Sequence, residues 1–314
     1  MNSFKLEWQT ARQKYSFELG TRTCIMGILN TTPDSFSDGG RYLKFDAAVE
    51  HGLKLAADGA DILDIGGESS RPFSDPVSVQ EELDRVIPVI EKLSASIDIP
   101  ISIDTVKSEV AKAAIEAGAS IINDITALEK DEFMASVAVE KGVLVILMHM
   151  KGSPATMQIN PQYDDFLNEI IVYLKNRANF AVNTGILPEH IVLDPGIGFG
   201  KTVEHNLMVI KYIEKIAQLG FPILVGPSRK SFIQKILANT TGSDIKNSRI
   251  IALSGEDKLS GKISPPPLSP KTETGTMAAV AASILNGAHI IRVHDVASAR
   301  AVANIINAVQ NVNM

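Results

Sequence analysis

The 314-residue chain has little of what several classes of protein require. Its single cysteine, Cys24, excludes an intrachain disulfide and any zinc site built from several cysteines. Lys and Arg number 30 against 36 Asp and Glu, which gives a formal net charge of −6. The chain therefore has no overall basic field with which to hold nucleic acid or an anionic membrane. Any anionic ligand would need a locally basic site.

Long hydrophobic runs are also missing. The most apolar windows, residues 142–150 and 277–291, are shorter than the roughly 20 residues of a membrane-spanning helix. The first 20 residues carry charges where a signal peptide has its apolar stretch. We therefore expect no membrane span and no secretion signal, and a cytoplasmic location.

What is present is an ordinary globular composition, with 45% hydrophobic and 21% charged residues, and a repeated pattern along the chain. Short apolar runs rich in Val, Ile and Leu alternate with amphipathic stretches. Continuous rather than alternating hydrophobicity is typical of parallel strands buried on both faces. Eight such runs occur, at residues 24–29, 61–65, 99–103, 120–122, 142–148, 190–193, 222–225 and 289–293.

Strict alternation of strand and helix predicts an α/β fold, a (β/α)₈ TIM barrel formed by residues 1–314 as a single domain. An open, doubly wound sheet is the structural alternative. The predicted helices cover residues 46–58, 78–93, 106–117, 163–183, 203–219, 274–286 and 296–309. Residues 1–23 are interpreted as an N-terminal hairpin at the bottom of the barrel. Residues 241–273, with the tract PPPLSP, are interpreted as a long mobile loop insert after strand 7.

Nearly every apolar run ends in a residue that can carry charge or hydrogen-bond, at the end where barrel enzymes build their sites. Converging buried polar groups are costly unless they satisfy one another or a ligand. Helix caps are the alternative explanation for any one of them. The residues are Asn30, Gly66 with Glu68, Asp104, Asn123, Met148 with His149, Asp194, Arg229 with Lys230, and Arg292 with His294.

These residue types suggest two kinds of binding. Asp104, Asn123, Asp194 and Lys230 supply donors and acceptors suited to a flat heterocycle with an amidine-like edge, such as a purine, a pteridine or a guanidine compound. Arg292 and His294, with Asn30 nearby and Arg71 on a loop, suit a phosphate. The predicted ligand is a heterocycle that carries a phosphate ester.

Two other motifs are rejected. GIGFGKT at residues 196–202 resembles a phosphate-binding P-loop, but only three residues separate Gly196 from Gly200 where four are needed. The dinucleotide pattern GxGxxG fails because Lys201 stands at the last glycine. His149 has no partners at metal-ligand spacing and is interpreted as a packed or hydrogen-bonded histidine.

Seven segments, in order along the chain, resemble the dihydropteroate synthases, a pterin-binding TIM-barrel family. The resemblance implies condensation of 6-hydroxymethyl-7,8-dihydropterin diphosphate with 4-aminobenzoate, which gives 7,8-dihydropteroate and pyrophosphate in folate biosynthesis. It also implies a (β/α)₈ barrel, Mg²⁺, a site of the kind that sulfonamides target, and a homodimer. The segments are GILNTTPDSFSDGG (27–40), DIGGESSRP (64–72), ISIDT (101–105), IIND (121–124), LDPGIGFGK (193–201), VGPSRKSF (225–232) and IIRVHDV (290–296).

Residue roles follow from the same resemblance. Lys230, Arg71 and Asp104 are expected to be catalytic, and Asn30 to contact Mg²⁺. The expected pterin pocket contains Asp104, Asn123, Met148, Asp194, Phe199, Gly226 and Lys230. The expected diphosphate contacts are Asn30, Ser70, Arg292 and His294, and those for 4-aminobenzoate are Phe36, Arg71, Pro72, Lys230 and Ser231.

These roles imply an S_N1-like displacement without a covalent enzyme intermediate, in which the loops at residues 31–40 and 67–77 exclude water. The family pattern GESTRPG is replaced here by GGESSRPFSDPVS, which puts the affinity for aminobenzoate analogues in doubt. Two other functions were weighed: a pterin-binding methyltransferase, which has no use for a diphosphate site, and a non-catalytic barrel paralogue. The insert at 241–273 lies next to the helix that, by the same resemblance, contributes to the family's dimer interface.

Overall fold

The computed structural model describes residues 3–10, 13–32, 41–69, 74–154, 156–238 and 270–312. The strands among them are β1 (Phe4–Gln9), β2 (Lys14–Leu19), β3 (Cys24–Asn30), β4 (Ile62–Gly66), β5 (Ile101–Asp104), β6 (Ile121–Asp124), β7 (Leu144–Met148), β8 (Ile191–Asp194), β9 (Leu224–Val225) and β10 (Ile290–Val293). The helices are α1 (Arg41–Ala57), α2 (Val79–Ser94), α3 (Ser108–Ala117), α4 (Met134–Lys141), α5 (Phe166–Asn183), α6 (Val203–Lys211), α7 (Ile213–Ala217), α8 (Ser231–Ala238), α9 (Pro270–Leu285) and α10 (Val296–Gln310).

Strands β3 to β10 form one parallel sheet in the order β8-β7-β6-β5-β4-β3-β10-β9. The two ends of the sheet meet at a parallel bridge between Leu193 and Ile223, beside which the Leu193 N–H donates to the Pro222 carbonyl at 2.9 Å. The sheet therefore curls into a nearly closed barrel, and the open-sheet alternative is excluded. Each of the eight predicted runs coincides with one of these strands. Their side chains are buried on both faces, which explains why the runs are hydrophobic without alternation.

The N-terminal hairpin closes the bottom of the barrel, as the sequence predicts. Strands β1 and β2 pair antiparallel, with Trp8 opposite Tyr15. Leu6, Trp8 and Leu19 are buried, and they pack against barrel side chains that include Met26. Because the strands begin at this end, the opposite mouth, where the strands finish, is left for a site.

The helices depart from the predicted ones in several places. The predicted helix at 203–219 is two helices, α6 and α7, separated at Tyr212, whose φ of −115° and ψ of 25° are not helical. Helix α4 was not predicted, because Phe133 at its N-cap gives no side-chain cap. Helix α8 was also missed, and α1 begins before the predicted residue 46.

Residues 270–273 were interpreted as part of the loop insert, and this is wrong. Pro270 is the first residue of α9, a position at which proline loses no helical hydrogen bond and its fixed φ suits the helix. Proline content alone therefore misplaced this boundary. The rest of the proposed insert, residues 241–269, lies outside the described residues. No helix within the described ranges is both long and apolar enough to cross a bilayer.

The hairpin plug predicts a stability effect that a surface leucine does not share. Leu6→Ala removes a side chain that is 1% exposed, and should lower the free energy of unfolding by about 2 to 5 kcal/mol. Leu187→Ala makes the same chemical change at a residue that is 51% exposed and should cost less than about 1 kcal/mol. Urea denaturation of both variants provides the comparison. Equal losses would show that the hairpin does not share the barrel core.

Candidate functional site at the barrel mouth

The polar residues predicted at the strand ends do lie at one end of the barrel. Asn30, Asp104 and Asp194 are the last residues of β3, β5 and β8. Asn123 is the penultimate residue of β6, and Arg292 lies in β10. Because all eight strands are parallel, their carboxyl ends surround the same mouth.

Arg292 is held by two carboxylates from other strands. Its Nε donates to Oδ2 of Asp64 at 2.6 Å, and its Nη2 donates to Oδ2 of Asp104 at 2.7 Å. The same Asp64 oxygen accepts from Nδ2 of Asn123 at 3.1 Å. Four strands are thus joined by one polar network, in which Asp64 is fully buried and the Arg292 side chain is 17% exposed.

Gly66 leaves room in this network. A β-carbon at Gly66 would lie 3.5 Å from Cβ and 3.8 Å from Oδ2 of Asp104, and 3.9 Å from Oδ1 of Asn30. Asn30 and Asp104 therefore face the same small space above β4. A β-carbon at Gly66 would make ordinary van der Waals contacts with both of them.

A second polar group is formed by the loops after β8 and β9. Oδ1 of Asp194 accepts from the Gly196 N–H at 2.7 Å. Nζ of Lys230 lies 4.1 Å from the centroid of the Phe199 ring, a cation–π contact. The stem of Lys230 crosses Gly198, where a β-carbon would come within 2.8 Å of Lys230 Cδ. Gly198 has a φ of +85°, so the turn that supports Lys230 favours glycine on both grounds.

Burial shifts the pKa values of these groups towards their neutral forms. It raises the pKa of Asp194 to about 6, against the opposing effects of the Gly196 N–H, Lys230 and Arg292. Burial and the nearby Arg292 lower the pKa of Lys230 to about 8. The pKa of Asp104 is raised by burial, with Arg292 opposing. These mutual charge effects place Asp194, Lys230 and Arg292 in one region.

An apolar wall lies beside the polar groups. Met148 and Phe199, both predicted wall residues, are buried in one cluster with Val106, Ile125 and Met157. A cavity of about 290 Å³ adjoins this wall, with Asp104, Val106 and Ile125 among its lining residues. Apolar walls of this kind are common in the pockets that bind flat rings.

His294 and Arg229 line a second cavity, separate from the one beside Asp104. Nδ1 of His294 lies 2.9 Å from Oγ of the buried Ser228, and His294 lines a separate cavity of about 280 Å³ rather than the one beside Asp104. Nε of Arg229 donates to Oε1 of Glu273 at 2.7 Å, so this strand-end residue does not join the Asp194 group.

The remaining predicted residues divide into two sets. Gly226 lies beside Arg292, since a β-carbon there would be 3.8 Å from Arg292 Cβ. Ser231 is exposed at the first residue of α8, directly after Lys230. Phe36, Ser70, Arg71 and Pro72 lie outside the described residues.

Sequence reasoning missed three members of the site. Asp64 was passed over because attention went to the strand ends, although a carboxylate inside an apolar strand is itself a signal. Met157 lies in a loop where no periodicity marks it as buried. Lys201 served only to reject the dinucleotide pattern, and its Nζ is in fact bonded to Nδ1 of His149 at 2.9 Å. That bond agrees with the interpretation of His149 as a hydrogen-bonded histidine.

Comparison with known proteins supports a family assignment. The family model described as "Pterin binding enzyme" matches residues 26–294 of the chain. The chain belongs to the pterin-binding enzymes. The matched range begins within β3 and ends directly after β10, so it includes residues of all eight barrel strands.

Individual relatives of this pterin-binding enzyme agree with the match. The dihydropteroate synthase of Synechocystis sp. is 41% identical over 293 residues, which cover 93% of this chain and 92% of the relative. A Xanthomonas albilineans dihydropteroate synthase solved with 4-aminobenzoic acid is 38% identical, with a TM-score of 0.82 and coverage of 98% and 100%. The same organism's enzyme solved in complex with 7,8-dihydropteroate is 37% identical, with a TM-score of 0.79 and the same coverage.

The ion pairs of Arg292 predict that this pterin-binding enzyme loses stability when a paired carboxylate is replaced by an amide of nearly the same shape. Asp64→Asn removes one of the two carboxylate charges that pair with Arg292 inside the barrel. It should lower the free energy of unfolding by about 3 kcal/mol. Asp98→Asn makes the same change at an exposed position and should have little effect. Thermal and urea denaturation of the two variants measure the difference. If D64N is as stable as the wild type, the buried pair is not needed to hold the strands.

Proposed function

We propose that the chain is a dihydropteroate synthase, which joins the methylene carbon of 6-hydroxymethyl-7,8-dihydropterin diphosphate to the amino nitrogen of 4-aminobenzoate. The observation that carries the proposal is the convergence of Asp104, Asn123, Asp194 and Lys230 at one barrel mouth beside an apolar wall. The relatives and solved structures that resemble this chain are dihydropteroate synthases.

The pterin ring is assigned to the groups around Asp194. A carboxylate can accept two parallel N–H bonds from the amidine-like edge of a pterin. The Lys230 ammonium can donate to an acceptor on the ring, while Met148 and Phe199 supply its apolar wall. Asn123 offers both a donor and an acceptor, although its Nδ2 is already directed at Asp64.

The diphosphate is assigned to Asn30 and Arg292, with Ser70 and Arg71, which follow β4 in the sequence. His294 lines the separate cavity beside Arg229, so its contact with the diphosphate stays a prediction from the sequence. Oδ1 of Asn30 faces the space above Gly66 that it shares with Asp104. Among the described residues, no cluster of three or more His, Cys, Asp or Glu side chains could hold a metal. A single amide oxygen fits Mg²⁺ that arrives with a diphosphate, because this ion commonly takes one or two protein ligands and completes its shell with phosphate and water.

The reaction follows from this division of the mouth. Bound Mg²⁺ would offset the negative charge that grows on the departing diphosphate. As the carbon–oxygen bond breaks, positive charge develops on the dihydropterin, where the carboxylates of Asp104 and Asp194 stabilise it. The amine of 4-aminobenzoate then forms the new carbon–nitrogen bond and loses its proton, in an S_N1-like displacement. Phe36, Arg71, Pro72, Lys230 and Ser231 are assigned to the 4-aminobenzoate side, where sulfonamides would compete.

The other two functions have less support. A pterin-binding methyltransferase would need the ring pocket but would release no pyrophosphate, and a non-catalytic paralogue would not turn over.

A homodimer and a cytoplasmic location belong to the same proposal. Leu285, Ile305 and Val309, at the ends of α9 and α10, are at least half exposed, as suits a surface covered by a second copy. Cys24 is a buried thiol, which is compatible with a reducing compartment.

The proposal predicts pyrophosphate release that depends on Lys230. Calorimetric titration with the dihydropterin diphosphate, with and without Mg²⁺, should show binding that Mg²⁺ strengthens. Addition of 4-aminobenzoate should then release pyrophosphate. Lys230→Ala should lower kcat/KM by roughly a hundredfold or more, because it removes the ammonium group beside Phe199 that is assigned to the pterin ring. Lys175→Ala, the same change at an exposed residue of α5, should leave turnover unchanged. Pterin binding by the wild type without pyrophosphate release would contradict the assigned reaction.

The shifted pKa values predict a bell-shaped pH profile. Asp194 accepts two parallel N–H bonds from the ring only when ionised, so kcat/KM for the pterin substrate should fall below a pH of about 6. Lys230 acts as a cation, so kcat/KM should also fall above a pH of about 8. Steady-state rates from pH 5 to 9.5 measure both limbs, and the residual activity of Lys230→Met should lack the alkaline one. A flat profile for the wild type would exclude these two groups as the titrating ones.

A further inference from the structure

Lys201 is a buried cation whose hydrogen-bond partners are neutral. It follows the loop after β8 and is 3% exposed. Its Nζ bonds Nδ1 of His149 at 2.9 Å, the Phe199 carbonyl at 3.1 Å and the His149 carbonyl at 3.4 Å. Burial without a carboxylate among these contacts lowers the pKa of Lys201 to about 7. Such a residue is costly to keep in a fold, so the contacts it makes call for an explanation.

The three acceptors belong to two loops that flank the site. His149 directly follows Met148, a wall residue at the end of β7. Phe199 lies in the loop after β8, and Nζ of Lys230 lies over its ring. One ammonium group therefore bridges the backbone of both loops. Burial lowers the pKa of His149 to about 2, so its imidazole stays neutral and can accept through Nδ1.

The loop after β8 depends on such side-chain donors. Three consecutive carbonyls each accept from a side chain. Gly198 accepts from Gln158 Nε2 at 2.7 Å, Phe199 from Lys201 Nζ, and Gly200 from the Tyr163 hydroxyl at 2.7 Å. Because these carbonyls are not paired in a strand or helix, the side chains decide where the Phe199 ring lies. Lys201 is the one amine among the three donors, and in its protonated form it makes stronger hydrogen bonds than a neutral donor.

We propose that Lys201 is a positioning residue for the pterin site, which holds Phe199 beneath Lys230 and locks the loop after β7 to the loop after β8. It acts through Phe199 and His149 and does not touch the substrate. The inference rests on the proposed function, since it concerns the pocket assigned there to the pterin ring. A small displacement of a positioned group is enough to cost an enzyme roughly a hundredfold in rate.

The test begins with Lys201→Met, which keeps the aliphatic stem and removes the donor. The KM and the calorimetric dissociation constant for the dihydropterin diphosphate should rise roughly ten- to hundredfold, with a smaller change in kcat. Lys201→Gln, which retains an N–H donor, should recover part of the affinity. Lys211→Met, at an exposed residue of α6, is the matched control and should behave as the wild type.

A double-mutant cycle with Phe199→Ala separates positioning from a purely structural role. If Lys201 acts through the Phe199 ring, Lys201→Met should weaken pterin binding much less in the F199A background than in the wild type. Equal effects in both backgrounds, or an unchanged dissociation constant in K201M, would overturn the proposal. If K201M does not fold, the cycle is carried out with K201Q. A wild-type chain that fails to bind the pterin diphosphate would instead overturn the proposed function.

Discussion

The guanidinium of Arg292, shared by the carboxylates of Asp64 and Asp104, sets the arrangement of the barrel mouth. Arg292 lies in β10 and its two partners lie in β4 and β5, so the ion pairs reach across β3, which separates β10 from β4 in the sheet. The two carboxylates raise the pKa of Arg292 although burial lowers it, and the group is therefore a permanent cation. Because a buried charge left without its partner is strongly destabilising, the three strand ends cannot move independently.

The other charges of the mouth are less firmly held, and this difference is what makes the mouth suitable for a ligand. Asp194 has a raised pKa, and Lys230 and Lys201 have lowered ones, all chiefly through burial. A planar ligand that offers donors to Asp194 and an acceptor to Lys230 would supply the interactions that burial has removed. Burying these polar groups costs stability, which the barrel and its hairpin plug must offset.

Much of this arrangement can be predicted from the sequence, because in a parallel barrel the ends of all strands meet at one mouth and the order of the strands fixes which ends are neighbours. The eight apolar runs give the strands, and the polar residues that follow them give most of the mouth. The site residues that the sequence did not predict depend on contacts between segments that are distant in the chain. Asp64 lies next to Ile28 and Ser102 in neighbouring strands, and only that three-dimensional register shows that it shares Arg292 with Asp104. The first turn of α9 was hidden because a proline at its start gives the same local signal as a loop.

The glycine-rich segment after β8 shows how one sequence pattern can serve two physical purposes. Gly196, Gly198 and Gly200 all have positive φ, as in loops that wrap a phosphate. Here a β-carbon at Gly196 would lie 1.9 Å from the His149 carbonyl, and one at Gly200 would lie 2.4 Å from the Lys151 carbonyl. The glycines therefore allow close approach to a neighbouring loop of the protein itself. The lysine that would neutralise a phosphate in a P-loop is instead turned inward, where it binds two carbonyls and an imidazole. The spacing of glycines shows that a close approach occurs, and only the burial of the adjoining lysine shows that the approached group is backbone rather than ligand.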